Sequence, residues 1–390
     1  MDVVLLPQGR RSGWIPGGSC ASGSVADGGV ELRDRGDLGD GFRTSREVSD
    51  TFDHVFVESL AREVPSWTRD ELTTEWLLTT AGEGQGPEPQ RGQVLRGILE
   101  DLTVPHRDID AALRIDARMD RHPAVTALRQ RSAGVLLRHL GQSTTAPLLP
   151  TFNGTDDPVL RYFWVLVFAD MQPHVSAWHA EQGIGSEVSR RTLADLGRQM
   201  THNRRRFGYG GLTLNIDWLC THFQGQLYQL GRLQFEMTDL GRTTASEIAS
   251  SGRPAAVGDP ALAVHVPDYS GPFTPSDCRA SFALAGSFFA QHFPHFMGEV
   301  MTCHSWLLDR RLPIYLAPES NIVAFQRLFT ITHREQTEDD ATLFDSIFGT
   351  RDISDLDGLP QATSLQRAMV NNLRDGHHWY GGVGWRPIEA

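Results

Sequence analysis

Lysine is missing from this sequence: all 36 basic residues are arginine. That excludes Schiff-base chemistry and any lysine nucleophile, and it points to a GC-rich source genome. Cysteine is scarce, with four residues at 20, 220, 278 and 303 and no CxxC spacing, so neither a zinc knuckle nor a disulfide framework is indicated. Long apolar runs are also lacking. The longest, Tyr162–Ala169, falls well short of the roughly 18 residues that span a bilayer. Met1–Ser45 has no apolar stretch of signal-peptide length. A reducing cytoplasm and no membrane partner are therefore expected. A formal charge of −12 argues against a general nucleic-acid binder.

What is present divides into three parts. Residues 1–45, rich in Gly, Ser, Asp and Arg, have too few apolar positions to build a core and read as a disordered extension. Residues 46–200 are mainly helical in pattern. The periodicity predicts helices over Val48–Arg62, Arg69–Thr80, Gln93–Leu102, Ile109–Asp116 and Pro123–Leu140. It continues with a buried helix over Pro158–Asp170, another over Pro173–Glu181 and one over Val188–Gln199. Gly82–Pro89 and Gly141–Pro150 are linkers by composition. Asp217–Leu227 fits either helix or strand.

Residues 201–390 turn to alternation. In Arg232–Leu240, Leu233, Phe235 and Met237 point one way, and Arg232, Gln234, Glu236 and Thr238 the other. Ala261–Pro267 alternates in the same manner, and the Gly/Pro-rich turn Gly241–Pro260 joins the two as an antiparallel pair. Glu236 and His265 then share the face opposite the apolar one. Thr274 and Pro275 open a helix to about His292. Glu299–His304 is a strand, Ser320 and Asn321 open a helix, and that helix passes into a strand at Leu328–Thr332. A right-handed crossover makes the outer strands of this unit parallel neighbours. Helices at Asp339–Phe348 and Ser364–Leu373 come next, then a Gly/aromatic tail, HHWYGGVGW. The fold class is α+β: a mainly helical N-terminal domain, then a mixed sheet flanked by helices.

The strings IDWLCTHF, YQLGRLQFE, LAVHVP, GPFTPSDCRASF, FFAQHFP, TCHSWLLD, SNIVAFQRLF and SLQRAMVNNL occur in that order. They resemble a bacterial acyltransferase-domain family that joins a helical N-acyltransferase-type N-terminal domain to a GNAT-like C-terminal one. The resemblance spans roughly residues 50–385. It implies a GNAT-like sheet whose two central parallel strands, here 261–267 and 299–304, splay to admit the pantetheine arm of an acyl-CoA. It also implies a pyrophosphate site at Gly271–Ser276, where backbone N–H groups and the helix dipole favour an anion. On these positions Val266, Gly271, Thr274, Cys303, Ser305, Trp306, Asn321 and Phe325 would touch the thioester or its carrier. Pro272 and Pro275 remove two donors from that loop. An acyl carrier protein, with fewer phosphates to hold, therefore stands beside coenzyme A as the donor. The acceptor would be a small-molecule amine.

Transfer to an amine requires a base for the attacking nitrogen and a proton for the departing thiolate. Glu236 and His265, facing one another, would form a base and its orienter. A solvated strand carboxylate and a hydrogen-bonded core histidine are the plain alternatives. Cys303 and His304 are neighbours on a strand, so their side chains point to opposite faces and cannot pair. His304 stands at a strand's C-terminal end, where ligands collect in such sheets. Many GNAT enzymes carry a tyrosine acid on the helix that Asn321 opens, and this helix has none. His304, a water or Tyr315 would have to serve. Arg204–Arg206 could meet phosphates or form a solvated turn. Two adjacent histidines, His377 and His378, do not by themselves make a ligand set, and no metal is assigned.

Two readings from different classes result. One is a catalytic acyltransferase working through Glu236, His265 and His304 by direct attack. The other is a non-catalytic acyl-thioester or carrier-protein binding module on a GNAT-like scaffold. A thioester hydrolase built on Cys303 ranks third.

Overall fold

Both periodicities become structure in the computed structural model, which describes residues 86–142 and 157–389 except Tyr269, Pro272, Met297 and Asp339. The N-terminal extension, the helices expected at Val48–Arg62 and Arg69–Thr80, half of the first linker and most of the second lie outside the described residues.

The first helices are α1 (Gly92–Asp101), α2 (His106–Met119) and α3 (Pro123–Arg138). They pack around α4 (Pro158–Glu181), whose Phe163, Trp164 and Phe168 are fully buried. Asp157 caps α4 by accepting from the Val159 N–H at 2.9 Å, and Pro158 fills the first turn, where no donor is needed. The periodicity predicts two helices here, broken before Pro173. They are one continuous helix. A mid-helix proline costs roughly 3 kcal/mol, and burial on nearly every side of the preceding three turns outweighs it. Fully buried Arg129 ties α3 to α4 with a bidentate grip on Asp170 (2.6 and 2.7 Å) and a third bond to Asp116 (2.6 Å).

The helix expected over Val188–Gln199 is instead two, α5 (Ser186–Leu193) and α6 (Asp195–Phe207). The break at Ala194 involves no helix-breaking residue, so periodicity does not reveal it. Its effect is to bring Asp195 to a buried first turn. The ambiguous Asp217–Leu227 resolves into α7 (Ile216–Phe223) and the start of the sheet.

The sheet has six strands in the order β1-β2-β3-β4-β6-β5. They are β1 (Leu227–Leu230), β2 (Leu233–Asp239), β3 (Pro260–His265), β4 (Val300–Ser305), β5 (Thr330–Glu338) and β6 (Tyr380–Pro387). β2 and β3 pair antiparallel, as their alternation predicts, with Gln234 opposite His265 and Glu236 opposite Ala263. The connection between them is not only a turn. It contains α8 (Arg242–Ser250), whose Ala245 and Ile248 close a small core with Leu240, Ala261, Val300 and Trp385.

β3 and β4 are the parallel pair, linked by α9 (Pro275–His292), which Thr274 caps by accepting from the Asp277 N–H. A 3-10 turn (Trp306–Leu308), α10 (Leu312–Tyr315) and α11 (Asn321–Gln326) lead on to β5. After β5 come α12 (Asp340–Phe348) and α13 (Ser364–Arg374). The C-terminal Gly/aromatic segment is a correction to the sequence reading. It is strand β6, inserted between β4 and β5 and antiparallel to both. The strand after α11 is therefore no neighbour of β3 or β4. Glycine is disfavoured in strands for want of a side chain to pack, but here the absence is needed. A Cβ on Gly382 would fall 2.4 Å from the Leu308 carbonyl oxygen, so only glycine lets the 3-10 turn lie on the strand.

Candidate active site

The ladder between β3 and β4 has three pairs, Ala261–Val300, Leu262–Met301 and Ala263–Thr302, and then ends. β4 keeps pairing with β6 as far as Ser305, so the two parallel strands part while each stays anchored on its outer side. The gap opens into a cleft of about 570 Å³ including its mouth. Residues 264–268 and 303–306 form its strand side, with Gln234 from β2. The helical region supplies the rest: Asp195, Arg198, Gln199 and His202 from α6, and Trp218 from α7.

His265 is the half-buried group of the strand wall. Its Nε2 lies 3.1 Å from Oε2 of Glu236, which is buried behind it. A carboxylate only accepts, so Nε2 carries a hydrogen, and it is Nδ1 that has the lone pair whenever the ring is neutral. The Trp218 ring meets the imidazole edge-on at 4.7 Å and 74°, limiting its rotation.

Beneath Trp218 the buried Asp195 carboxylate gathers donors. Arg198 Nε reaches it at 2.8 Å, Gln199 Nε2 at 2.9 Å, Trp218 Nε1 at 3.0 Å and Gln234 Nε2 at 3.1 Å. Burial alone would push the pKa of Asp195 up. Arg198 beside it, aided by His222 and the Gln199 bond, overrides this and holds the carboxyl below its usual range. His222, fully enclosed, is pushed down by burial against the opposing pull of Asp195, and its Nε2 lies 3.1 Å from Gln234 Nε2. A second histidine–carboxylate pair adjoins the cleft: His202 Nε2 is 2.9 Å from Asp268 Oδ2, both buried.

The chain matches the family description "N-acyltransferase N-terminal domain" over residues 93–225 and "GNAT-like C-terminal domain" over 227–386. Among solved structures, an acyltransferase in complex with decanoyl-CoA and teicoplanin superposes with a TM-score of 0.73 at 31% identity. That match covers 86% of this chain and 99% of the other. An acyltransferase mutant in complex with octanoyl-CoA gives 0.72 at 31% identity, over 85% and 99%. An acyltransferase in complex with CoA and 10C-teicoplanin gives 0.73 at 30%, over 86% and 99%. The chain belongs to this acyltransferase family. No curated protein matches its sequence.

Between enzyme and passive binding module, family membership favours the enzyme. In the acyltransferase, His265, Val266, Cys303, His304, Ser305 and Trp306 all border the cleft, and Glu236 backs His265. Their side chains differ in availability. His304 is exposed at the rim. The Cys303 thiol faces the core, where burial, with Cys278 adding a little, pushes it up to about 12. It is no thiolate nucleophile. Ser305 Oγ caps the 3-10 turn by accepting from the Leu307 N–H, and Trp306 is largely core.

Four expected contacts do not line the cleft. Gly271 stands in the loop before α9 with φ +81°, its carbonyl taken by Arg232 Nε at 3.2 Å. Thr274 is the α9 cap. Asn321 is exposed at the start of α11. Phe325 is fully buried against Phe273 and Phe329, because this short helix turns its apolar side into the core.

Tyr315 lies elsewhere too, donating to Asp375 at 2.7 Å. Arg204 and Arg206 are structural, bound to Asp108 (2.5 Å) and Asp345 (2.8 Å). His378 is held by Asp340 at 2.6 Å, and among the described residues no cluster of His, Cys, Asp or Glu could hold a metal ion. No helix among the described residues is long and apolar enough to cross a membrane.

Sequence reasoning missed the helical wall altogether. Asp195, Arg198 and His202 share one face of α6 at i, i+3 and i+7, but Trp218 and, on the strand side, Asp268 come from other segments, and no spacing links the three segments. Trp218 and His222, at i, i+4 on α7, gave a second local signal of the same kind.

Proposed function

We propose that this acyltransferase moves a fatty acyl group from coenzyme A to an amine on a small-molecule acceptor, with His265 as general base and Glu236 as its orienter. The observation that carries the reading is the parting of β3 from β4 beyond Ala263 and Thr302, with the His265–Glu236 pair on the wall of the resulting gap. A thioester laid between the strands would place its carbonyl near strand-edge N–H groups of β3, released from the ladder, that can stabilise the oxyanion. The amine nitrogen loses its proton to His265 Nδ1 as it attacks, and Glu236 holds the imidazolium that forms. Direct attack is favoured over a covalent relay because Cys303 is buried and protonated.

Coenzyme A rather than a carrier protein is the favoured donor, since the relatives were solved with decanoyl-CoA and octanoyl-CoA. Teicoplanin, present in one of those complexes, is the first acceptor to try. The all-arginine basic complement and the buried, unbridged thiols of Cys220, Cys278 and Cys303 support a bacterial cytoplasm as the setting.

The experiment is an incubation of the full chain with decanoyl-CoA, decanoyl carrier protein or acetyl-CoA, against teicoplanin and a panel of small amines. Thiol release and product mass are the readouts. Acylated amine formed from decanoyl-CoA at a rate well above the uncatalysed one supports the assignment. Thiol release without an acylated amine would mean hydrolysis and would overturn it.

A further inference from the structure

The base accounts for half of the proton traffic. The other half, a proton for the departing sulfur, has no tyrosine on α11 to supply it, Tyr315 is engaged with Asp375 away from the cleft, and the Cys303 thiol is turned into the core. We propose that His202, paired with Asp268, is the general acid that protonates the leaving thiolate. This rests on the His265 reading and completes it.

The geometry behind the proposal is a second histidine–carboxylate pair on a different element of the same cleft. His265 belongs to the sheet. His202 comes from α6, and Asp268 from the loop that leaves β3, three residues after His265. Both His202 and Asp268 border the cleft, their side chains are only 6% and 1% exposed, and Nε2 and Oδ2 are 2.9 Å apart. A carboxylate this enclosed and this close fixes where the ring stands on the cleft wall. Two separate pairs let one ring accept a proton while the other gives one up. A single imidazole would have to do both in sequence.

The step balances. The amine nitrogen forms the new C–N bond and passes a proton to His265 Nδ1. The C–S bond breaks, sulfur keeps the electron pair, and it takes the proton from His202 Nδ1 to leave as a thiol. His265 ends protonated and His202 neutral. One proton lost to solvent by the first and one gained from solvent by the second restore the resting state. Asp268 is a positioning residue, acting through His202.

Leaving-group chemistry distinguishes this role from a structural one. A thiophenol departs as a stable anion and needs an acid far less than coenzyme A does. Steady-state rates would be measured with decanoyl-CoA and with S-phenyl thiodecanoate, using whichever amine in the acceptor panel supports turnover. His202→Gln should lower kcat with decanoyl-CoA by about 10²-fold, move KM only a few-fold, and lose much less with the phenyl thioester. Asp268→Asn should show the same pattern at smaller size, and it carries the test alone if His202→Gln does not fold. His265→Ala should lose equally with both donors. Equal losses with both donors for His202→Gln and Asp268→Asn would reduce the pair to a structural role. Full activity of His202→Gln, or the rescue pattern in His304→Ala instead, would also overturn the proposal. If His265→Ala kept full activity while the His202 pattern held, the base assignment alone would fall.

Discussion

Glu236 and His265 touch at 3.1 Å without being register partners: Gln234 stands opposite His265, and Ala263 opposite Glu236. The contact runs along the diagonal between antiparallel strands, which long side chains on one face can span. Gln234 is thereby left to the Asp195 network beneath. His265→Ala should lower kcat by about 10²–10⁴-fold. Glu236→Gln keeps an acceptor for the ring N–H but loses the charge that stabilises the imidazolium, so its loss should be smaller, roughly 10²-fold at most. Melting temperatures close to wild type would show that both effects belong to the chemistry.

Cys303→Ala should retain full turnover. Its thiol is packed in the core and held up to about 12 by burial, so iodoacetamide should leave it unmodified in the native protein and label it after unfolding. The expected cost is in stability alone, on the order of 1–2 kcal/mol for the lost packing. A dead but folded Cys303→Ala enzyme would revive the covalent route.

His179 makes stability depend on pH in the weakly acid range. It is fully buried on α4, its Nδ1 2.8 Å from Ser189 Oγ, and burial pushes it down to about 4. Below about pH 6.5 the unfolded chain takes up a proton that the folded chain refuses until about pH 4. Stability is therefore intact above 6.5 and falls as pH drops through that window, by roughly 3 kcal/mol in total. Urea melts at pH 7 and pH 5 should differ in midpoint, and His179→Gln should flatten the difference. An unchanged slope in the variant would assign the effect to other groups.

Gly382→Ala should destabilise the sheet beside the cleft. The added methyl would meet the Leu308 carbonyl at 2.4 Å, and backbone must move to admit it. A loss of about 1–3 kcal/mol is expected from such overpacking, read as a lower melting temperature. Because Gly382 pairs with Ser305 at the cleft end of β4, KM for the acyl donor should rise as well. Gly376→Ala meets no atom within contact distance but has φ +76°. It should lower the melting temperature through backbone strain alone and leave KM unchanged.

Local repetition along the chain is enough to specify several elements and one half of the candidate site. Period 3.6 marks α1, α9 and α13, an apolar run marks the buried part of α4, and period 2 marks β2 and β3. Because their apolar residues alternate strictly, Glu236 and His265 had to share a face once the strands paired antiparallel. Strand alternation also sets Cys303 and His304 on opposite sides. Packing supplied everything that depends on residues meeting from far apart. Only the assembled sheet shows that a glycine-rich tail is its fifth strand in spatial order, since the reason for those glycines is the distant Leu308 carbonyl. Only the docked helices bring Asp195, His202 and Trp218 to a cleft bounded on its other side by β3 and β4. Side-chain periodicity records which face is buried, and it holds no record of what that face is buried against.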